Sequence, residues 1–197
     1  MSSKVKSQEV RINSGSLRGR KLSFPDAQGL RPTLGRTRET LFNWLRPSLP
    51  GAACLDLFAG SGVLGFEALS IGASKVTLIE KDRNIYQALV TNAQRMKINV
   101  TSGPLSIQCC DALAYLDSAK VEKADGFDVI FIDPPYSQAS LLTDTLNRIA
   151  NNQLSCGWVY LESNNKDQLE EAISGTGFGI EKAAYAGVSH SVLARLR

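Results

Sequence analysis

The stretch Cys54-Leu55-Asp56-Leu57-Phe58-Ala59-Gly60-Ser61-Gly62 runs an apolar strand into a small, glycine-rich turn. Gly60 and Gly62 carry no Cβ, so the backbone can turn sharply and come close to a ligand. The amides of a following helix N-terminus would point at whatever binds there. The turn fits an adenosine-type ligand. Gly60-Ser61-Gly62-Val63-Leu64-Gly65 also satisfies the dinucleotide fingerprint, with acidic Glu80 about 20 residues on, where a ribose-binding carboxylate belongs. The glycines alone leave a nicotinamide cofactor and S-adenosylmethionine both open. A second stretch, Phe127-Asp128-Val129-Ile130-Phe131-Ile132-Asp133-Pro134-Pro135-Tyr136, is another buried strand, ending in Asp-Pro-Pro-Tyr. A dehydrogenase has no use for that ending.

With both segments in view, the chain resembles the class I S-adenosylmethionine-dependent methyltransferases that act on exocyclic amino nitrogens of nucleobases. Such a nitrogen is a poor nucleophile, because its lone pair is delocalised into the ring. It becomes competent when both N–H groups are held by acceptors that favour a tetrahedral nitrogen. Asp133 and the Pro134 carbonyl would be those acceptors, the rigid Pro-Pro segment fixing the carbonyl in place. Tyr136 would stack on the extruded base, worth about 1–3 kcal/mol against the cost of flipping it out. The resemblance further implies that the Ala59, Gly60, Ser61 and Gly62 turn takes the methionine portion and Glu80 both ribose hydroxyls. It gives Asp111 the adenine amino group, with the Ala112 backbone beside it. Asp56, Phe58, Lys81 and Asp133 complete the expected cofactor set, and no metal is called for.

These groups need a scaffold that brings strand ends together. From Ala53 onward strands and helices alternate, predicting an open, mostly parallel α/β sheet of about seven strands with helices on both faces. Strands are expected at residues 53–57, 75–79, 105–109, 129–132 and 157–161. No convincing helix separates residues 178–184 from 191–196, which should pair antiparallel as the last two strands. Asp56, Glu80, Asp111 and Asp133 then all stand at carboxyl ends of strands, where such sheets bind ligands. Asp111 equally suits a helix cap.

A chain of 197 residues most naturally makes one domain, and 43% hydrophobic with 21% charged residues is ordinary globular composition. Its apolar runs are strand-sized, and no apolar stretch follows the polar residues 1–8, so a cytoplasmic protein is expected. Cys54, Cys109, Cys110 and Cys156 lack metal-ligand spacing and read as buried thiols; His190 is the only histidine, so a zinc site or Cys-His pair is disfavoured. Residues 1–46 hold ten Lys or Arg against three acids, a local charge of +7 within a net +3. That excess suggests a polyanion-binding extension over residues 1–50, packed on a core of residues 51–197. Short strands around Val10-Ile12 and Lys21-Phe24 should form a basic hairpin. A helix follows from Gly35 or Arg36 to Leu45, with Arg36 and Arg38 off its apolar stripe and free to face a ligand or solvent.

The amino-terminal third narrows the resemblance. Arg18-Gly19-Arg20-Lys21-Leu22, Gly29-Leu30-Arg31-Pro32-Thr33 and Arg36-Thr37-Arg38-Glu39-Thr40-Leu41-Phe42-Asn43-Trp44-Leu45 resemble the bacterial RsmD family, 16S ribosomal RNA guanine-N2 methyltransferases. The likeness continues through Leu55–Gly62, Leu64–Ser70 and Asp133–Tyr136. It implies methylation of 16S rRNA in the small ribosomal subunit or an assembly intermediate. Arg18, Arg20, Lys21, Arg31, Arg36 and Arg38 would hold RNA phosphates. The chain departs from the family at Leu34-Gly35, where Thr or Ser followed by Asp is usual, and at the weakly basic Lys182–Gly187. The rival readings are an adenine-N6 or cytosine-N4 methyltransferase of DNA or another RNA, disfavoured for DNA by the lack of a separate recognition domain, and a non-catalytic RNA-binding assembly factor.

Overall fold

The strand Phe127–Ile132, apolar at five of its six positions, can be buried on both faces only in the middle of a sheet, and that is where it lies. The computed structural model describes residues 7–25, 35–118, 126–138 and 140–197. In chain order the strands are β1 (Ser7–Arg11), β2 (Lys21–Pro25), β3 (Ala53–Asp56), β4 (Lys75–Glu80), β5 (Leu105–Cys109), β6 (Phe127–Ile132), β7 (Ser155–Ser163), β8 (Phe178–Ala186) and β9 (Ser189–Leu196). The helices are α1 (Gly35–Leu45), α2 (Val63–Ile71), α3 (Arg83–Arg95), α4 (Ala112–Leu116), α5 (Ser140–Asn151) and α6 (Lys166–Ile173).

The seven-stranded sheet has the order β5-β4-β3-β6-β7-β9-β8. Strands β3 to β7 pair in parallel, and β9, the last in the chain, runs antiparallel to both β7 and β8. The alternation of apolar runs predicts this Rossmann-like arrangement. The chain winds outward from β3 through β4 to β5 and then crosses back to β6 on the other side of β3. Connections therefore leave β3 and β6 in opposite directions, which opens a crevice beyond their carboxyl ends.

Successive residues of the central strands feed two cores. Cys54, Val76, Leu78, Val129 and Phe131 pack with Leu41, Phe42 and Phe66 on one face. Leu55, Ile79, Ile130 and Ile132 pack with Leu142, Leu146 and Leu169 on the other. Burial raises the Cys54 thiol to about 12, so it stays protonated. Cys109 is exposed and Cys110 half-buried, which corrects the expectation of buried thiols: β5 is an edge strand and leaves them partly uncovered.

β1 and β2 form the expected antiparallel hairpin, with Arg11 opposite Lys21. It docks on α2 and α3. Ile12, Leu22 and Phe24 are buried beneath it, and Asn92 on α3 exchanges two hydrogen bonds with the Ser23 backbone, at 3.1 and 2.9 Å. The hairpin loop is tied to α2 by the Ser16 amide donating to the Ser70 carbonyl at 2.8 Å and the Leu17 amide to Ser70 Oγ at 2.8 Å. Among the described residues no helix is long and apolar enough to cross a membrane.

Candidate active site

A cleft of about 540 Å³ opens at the carboxyl ends of the central strands. The glycine turn forms its floor. Gly62 sits at the N-cap of α2 with φ +78°, a left-handed conformation that suits only glycine there, and its amide donates to the Ala59 carbonyl at 2.6 Å. A Cβ at Gly62 would lie 2.5 Å from Leu89 Cδ2, so both the turn and the packing against α3 require glycine here. Asp56, Phe58, Ala59, Gly60 and Ser61 do line the cleft.

Glu80 ends β4 and points back at this turn. Its Oε2 accepts from the Gly60 amide at 2.9 Å and its Oε1 from the Asp82 amide at 2.8 Å. One oxygen is thus bound on each side, and each retains a lone pair for a ligand hydroxyl. Asp82 in turn caps α3 through the Asn84 and Ile85 amides. Lys81, Asp111 and Ala112 line the same wall. Asp111 is the N-cap of α4, its Oδ1 accepting from the Leu113 and Ala114 amides at 2.9 and 3.2 Å, so the capping reading holds alongside its place in the cleft.

Asp56 lies beneath the turn, 1% exposed. Among the described residues, no hydrogen bond of good geometry reaches either carboxylate oxygen. Burial raises its pKa to about 7; the nearby Gly65 and Phe58 amides oppose the rise, and the Glu80 charge adds to it.

Across the switch point, β6 delivers Asp133, Pro134, Pro135 and Tyr136 to the opposite side of the same cleft. Two further residues stand with them that the sequence reading did not include. Glu162, at the end of β7, is 3% exposed, and its Oε1 accepts from the Tyr136 hydroxyl at 3.3 Å and the Ser189 hydroxyl at 2.7 Å. The Tyr160 hydroxyl donates to its Oε2 at 2.7 Å. Burial first, then the Glu162 and Asp133 charges, push the Tyr136 phenol up to about 12. The rule that places carboxylates at strand ends in β3 to β6 applies equally to Trp158-Val159-Tyr160-Leu161-Glu162 and could have found Glu162. Ser189 carried no such signal: it reaches the cleft because β9 runs antiparallel and begins where its neighbours end.

The basic residues are arranged differently. Arg18, Arg20 and Arg36 are exposed, and Lys21 pairs with Glu9 at 2.6 Å on the surface. Arg31 lies outside the described residues. Arg38 is 4% exposed, with Nε 3.1 Å from Glu67 Oε2 and Nη2 donating to the Arg11 carbonyl at 2.8 Å. It holds the hairpin to α2 and cannot reach an RNA phosphate, which corrects the expectation that it faces outward. The hairpin loop is fastened at Ser70, about 12 Å along α2 from Gly62 at 1.5 Å per residue, so Arg18 and Arg20 stand away from the cleft.

The family model described as conserved hypothetical protein 95 matches residues 10–191. The ribosomal RNA small subunit methyltransferase D of Escherichia coli K12 is 40% identical over 184 residues, covering 90% of this chain and 86% of that protein. The chain belongs to the RsmD family. The solved structure of Escherichia coli yhhF superposes with a TM-score of 0.81 at 38% identity, over 95% of this chain and 97% of that one. A more distant structure, SMU.776 complexed with SAH, shares 14% identity and the fold alone, with a TM-score of 0.67 over 89% of this chain and 53% of that one. This RsmD-family chain therefore carries the methyltransferase fold with its glycine turn, its β4 carboxylate and its Asp-Pro-Pro-Tyr segment around one cleft.

Proposed function

We propose that this chain transfers a methyl group from S-adenosylmethionine to the N2 amino group of a guanine in 16S ribosomal RNA, in the cytoplasm, on the small subunit or an assembly intermediate. The observation that carries the reading is the meeting of the glycine turn, Glu80 and Asp133-Pro134-Pro135-Tyr136 in one cleft. The printed name of the Escherichia coli relative, a ribosomal RNA small subunit methyltransferase, supports the substrate class. The clamp chemistry supports an exocyclic amine as the acceptor, and the family resemblance alone points to guanine N2.

The residues present fit the cofactor. The cleft has the volume of a small-molecule site, and Glu80 keeps acceptor capacity on both oxygens after bonding Gly60 and Asp82. Asp111 and Ala112 would receive the adenine, and the turn from Ala59 to Gly62 the methionine portion. When bound, S-adenosylmethionine supplies an electrophilic methyl carbon. Asp133 and the Pro134 carbonyl accept the two amine N–H bonds and favour a tetrahedral nitrogen with its lone pair directed at that carbon. Asp133 is then positioned to take the proton the nitrogen sheds. Tyr136 supplies the stacking face for the extruded base.

The test offers labelled S-adenosylmethionine with unmethylated small subunits, free 16S RNA and DNA, and maps the product nucleoside. N2-methylguanine in 16S RNA is expected. Methylated adenine or cytosine would move the reading to the rival amines, and no transfer to any of them would overturn it.

A further inference from the structure

Glu162 is a costly residue to keep where it is. A carboxylate 3% exposed has lost its hydration, and among the described residues no lysine or arginine pairs with it. Three neutral hydroxyls satisfy it instead. A buried charge held only by neutral donors adds little to stability compared with an apolar side chain of the same size, so its place beside Asp133 calls for another explanation. Its partners supply one. The Tyr136 ring is fixed at its backbone end by Pro134 and Pro135 and at its hydroxyl end by Glu162 Oε1. The phenol, raised to about 12, is fully protonated at neutral pH and always able to donate. Ser189, the first residue of β9, shares the same oxygen, and with Val188 of the preceding turn it forms a wall of the cleft. Tyr160, locked in the core with Phe131 at 6.3 Å between ring centroids, holds the other oxygen and so fixes the carboxylate itself.

We infer that Glu162 is a positioning residue for the target base: through the Tyr136 hydroxyl it sets the plane on which the base stacks, and through Ser189 it holds the β8–β9 turn against the pocket. The inference rests on the amine-methylation reading above. The acceptor geometry at the clamp depends on where the base plane lies, so freeing the ring slows transfer without loosening the cofactor.

Steady-state kinetics on unmethylated small subunits test this with Tyr136→Phe, Glu162→Ala, Glu162→Gln and the Tyr136→Phe/Glu162→Ala pair. Tyr136→Phe and Glu162→Ala are each expected to lower kcat about tenfold, the order of one hydrogen bond to a charged acceptor, with cofactor affinity within about twofold of wild type. Glu162→Gln, which keeps an acceptor oxygen, should recover most of the loss. The pair should be no slower than Glu162→Ala alone, because that variant already breaks the Tyr136 bond along with those to Ser189 and Tyr160. Unchanged kcat in Tyr136→Phe, or losses that multiply in the pair, would overturn the proposal. Should Glu162→Ala fail to fold by thermal melting, Tyr136→Phe removes only a hydroxyl and decides alone. Asp133→Ala, which leaves no acceptor at that position, run alongside separates the two claims. Wild-type turnover there removes the clamp reading itself, whereas an inactive Asp133→Ala beside a fully active Tyr136→Phe removes only the role of Glu162.

Discussion

Arg38 Nε lies 3.1 Å from Glu67 Oε2, and both side chains are buried, at 4% and 1% exposure. Glu67 belongs to α2, the helix that begins at the glycine turn, and its Oε1 also accepts from the Asn13 amide at 3.1 Å and Ser14 Oγ at 2.9 Å in the hairpin loop. Burial works against both charges, lowering the Arg38 pKa and raising that of Glu67; their mutual attraction and the Ser14 and Asn13 donors offset it. One ion pair thus connects the basic hairpin, α1 and the helix behind the cofactor turn.

Breaking that pair from one side leaves a buried, uncompensated carboxylate, which typically costs about 3–5 kcal/mol. Arg38→Ala is therefore expected to lower the free energy of unfolding by about that amount in chemical denaturation. Arg38→Ala together with Glu67→Gln should recover part of the loss, because the second change removes the stranded charge. A loss below about 1 kcal/mol in the single variant would show that the pair is exposed to water in solution.

Glu80 accepts from the Gly60 and Asp82 amides, and in the function proposed above the same carboxylate takes the ribose hydroxyls. Glu80→Ala should weaken S-adenosylmethionine binding by roughly one to two powers of ten in calorimetry, since charge-assisted hydrogen bonds contribute about 1.5–3 kcal/mol. Glu80→Gln should resemble the alanine variant more than wild type. Its NH₂ group must face either the Gly60 or the Asp82 amide, and two donors cannot bond each other. NAD, tested beside it, should not bind; tight NAD binding would return the turn to the dinucleotide reading.

The strands were legible because burial on both faces writes long apolar runs, as in Val129 to Ile132, and because glycine and proline punctuate the connections. That Asp56, Glu80, Asp111 and Asp133 meet in one cleft was legible too, because each stands at the end of a strand. Arg38 was not. The apolar stripe of α1 runs through Leu41, Phe42 and Leu45, and nothing in that periodicity tells that an arginine beside it will meet a glutamate 29 positions away in another helix. The sequence shows that Gly62 lacks a Cβ, but what a Cβ there would strike, here Leu89, depends on how α3 packs. Ser189 depends on the direction of β9, a tertiary outcome.

Asp56 should make the ligand-free protein less stable as pH rises. Its folded pKa of about 7 lies above the ordinary 3.8, so between these values the native state holds a proton that the unfolded chain has released. Stability contributed by this group is fully present below about pH 4, falls as pH rises toward 7, and changes no further above it; the span corresponds to a few kcal/mol, at about 1.4 kcal/mol per unit. Glu67, also raised, acts in the same sense. Chemical denaturation at pH 5, 6, 7 and 8 should show wild type losing stability relative to Asp56→Asn, which has no proton to release. Parallel curves for the two proteins would mean that Asp56 is ionised throughout.

The basic arm gives the remaining prediction, now carried by fewer residues. Lys21 is engaged with Glu9 and Arg38 with Glu67, which leaves exposed Arg18, Arg20 and Arg36, among the described residues of the expected set, as the cations best placed to meet phosphates. Arg18 and Arg20 flank a turn at Gly19, φ +81°, at the end of the hairpin fastened to Ser70. From there they would contact RNA flanking the target, positioning the substrate without specifying the base. Each neutralised phosphate releases counterions, so Arg18→Ala and Arg20→Ala should each reduce the slope of log affinity against log salt by about 0.7–0.9, and the double variant by about twice that. Cofactor affinity should not change. Filter binding of small subunits or 16S RNA between 50 and 200 mM salt, a range in which several phosphate contacts cost orders of magnitude in affinity, resolves slopes of this size. An unchanged slope in the double variant would remove the hairpin from the RNA interface and leave Arg36 and the cleft rim to carry it.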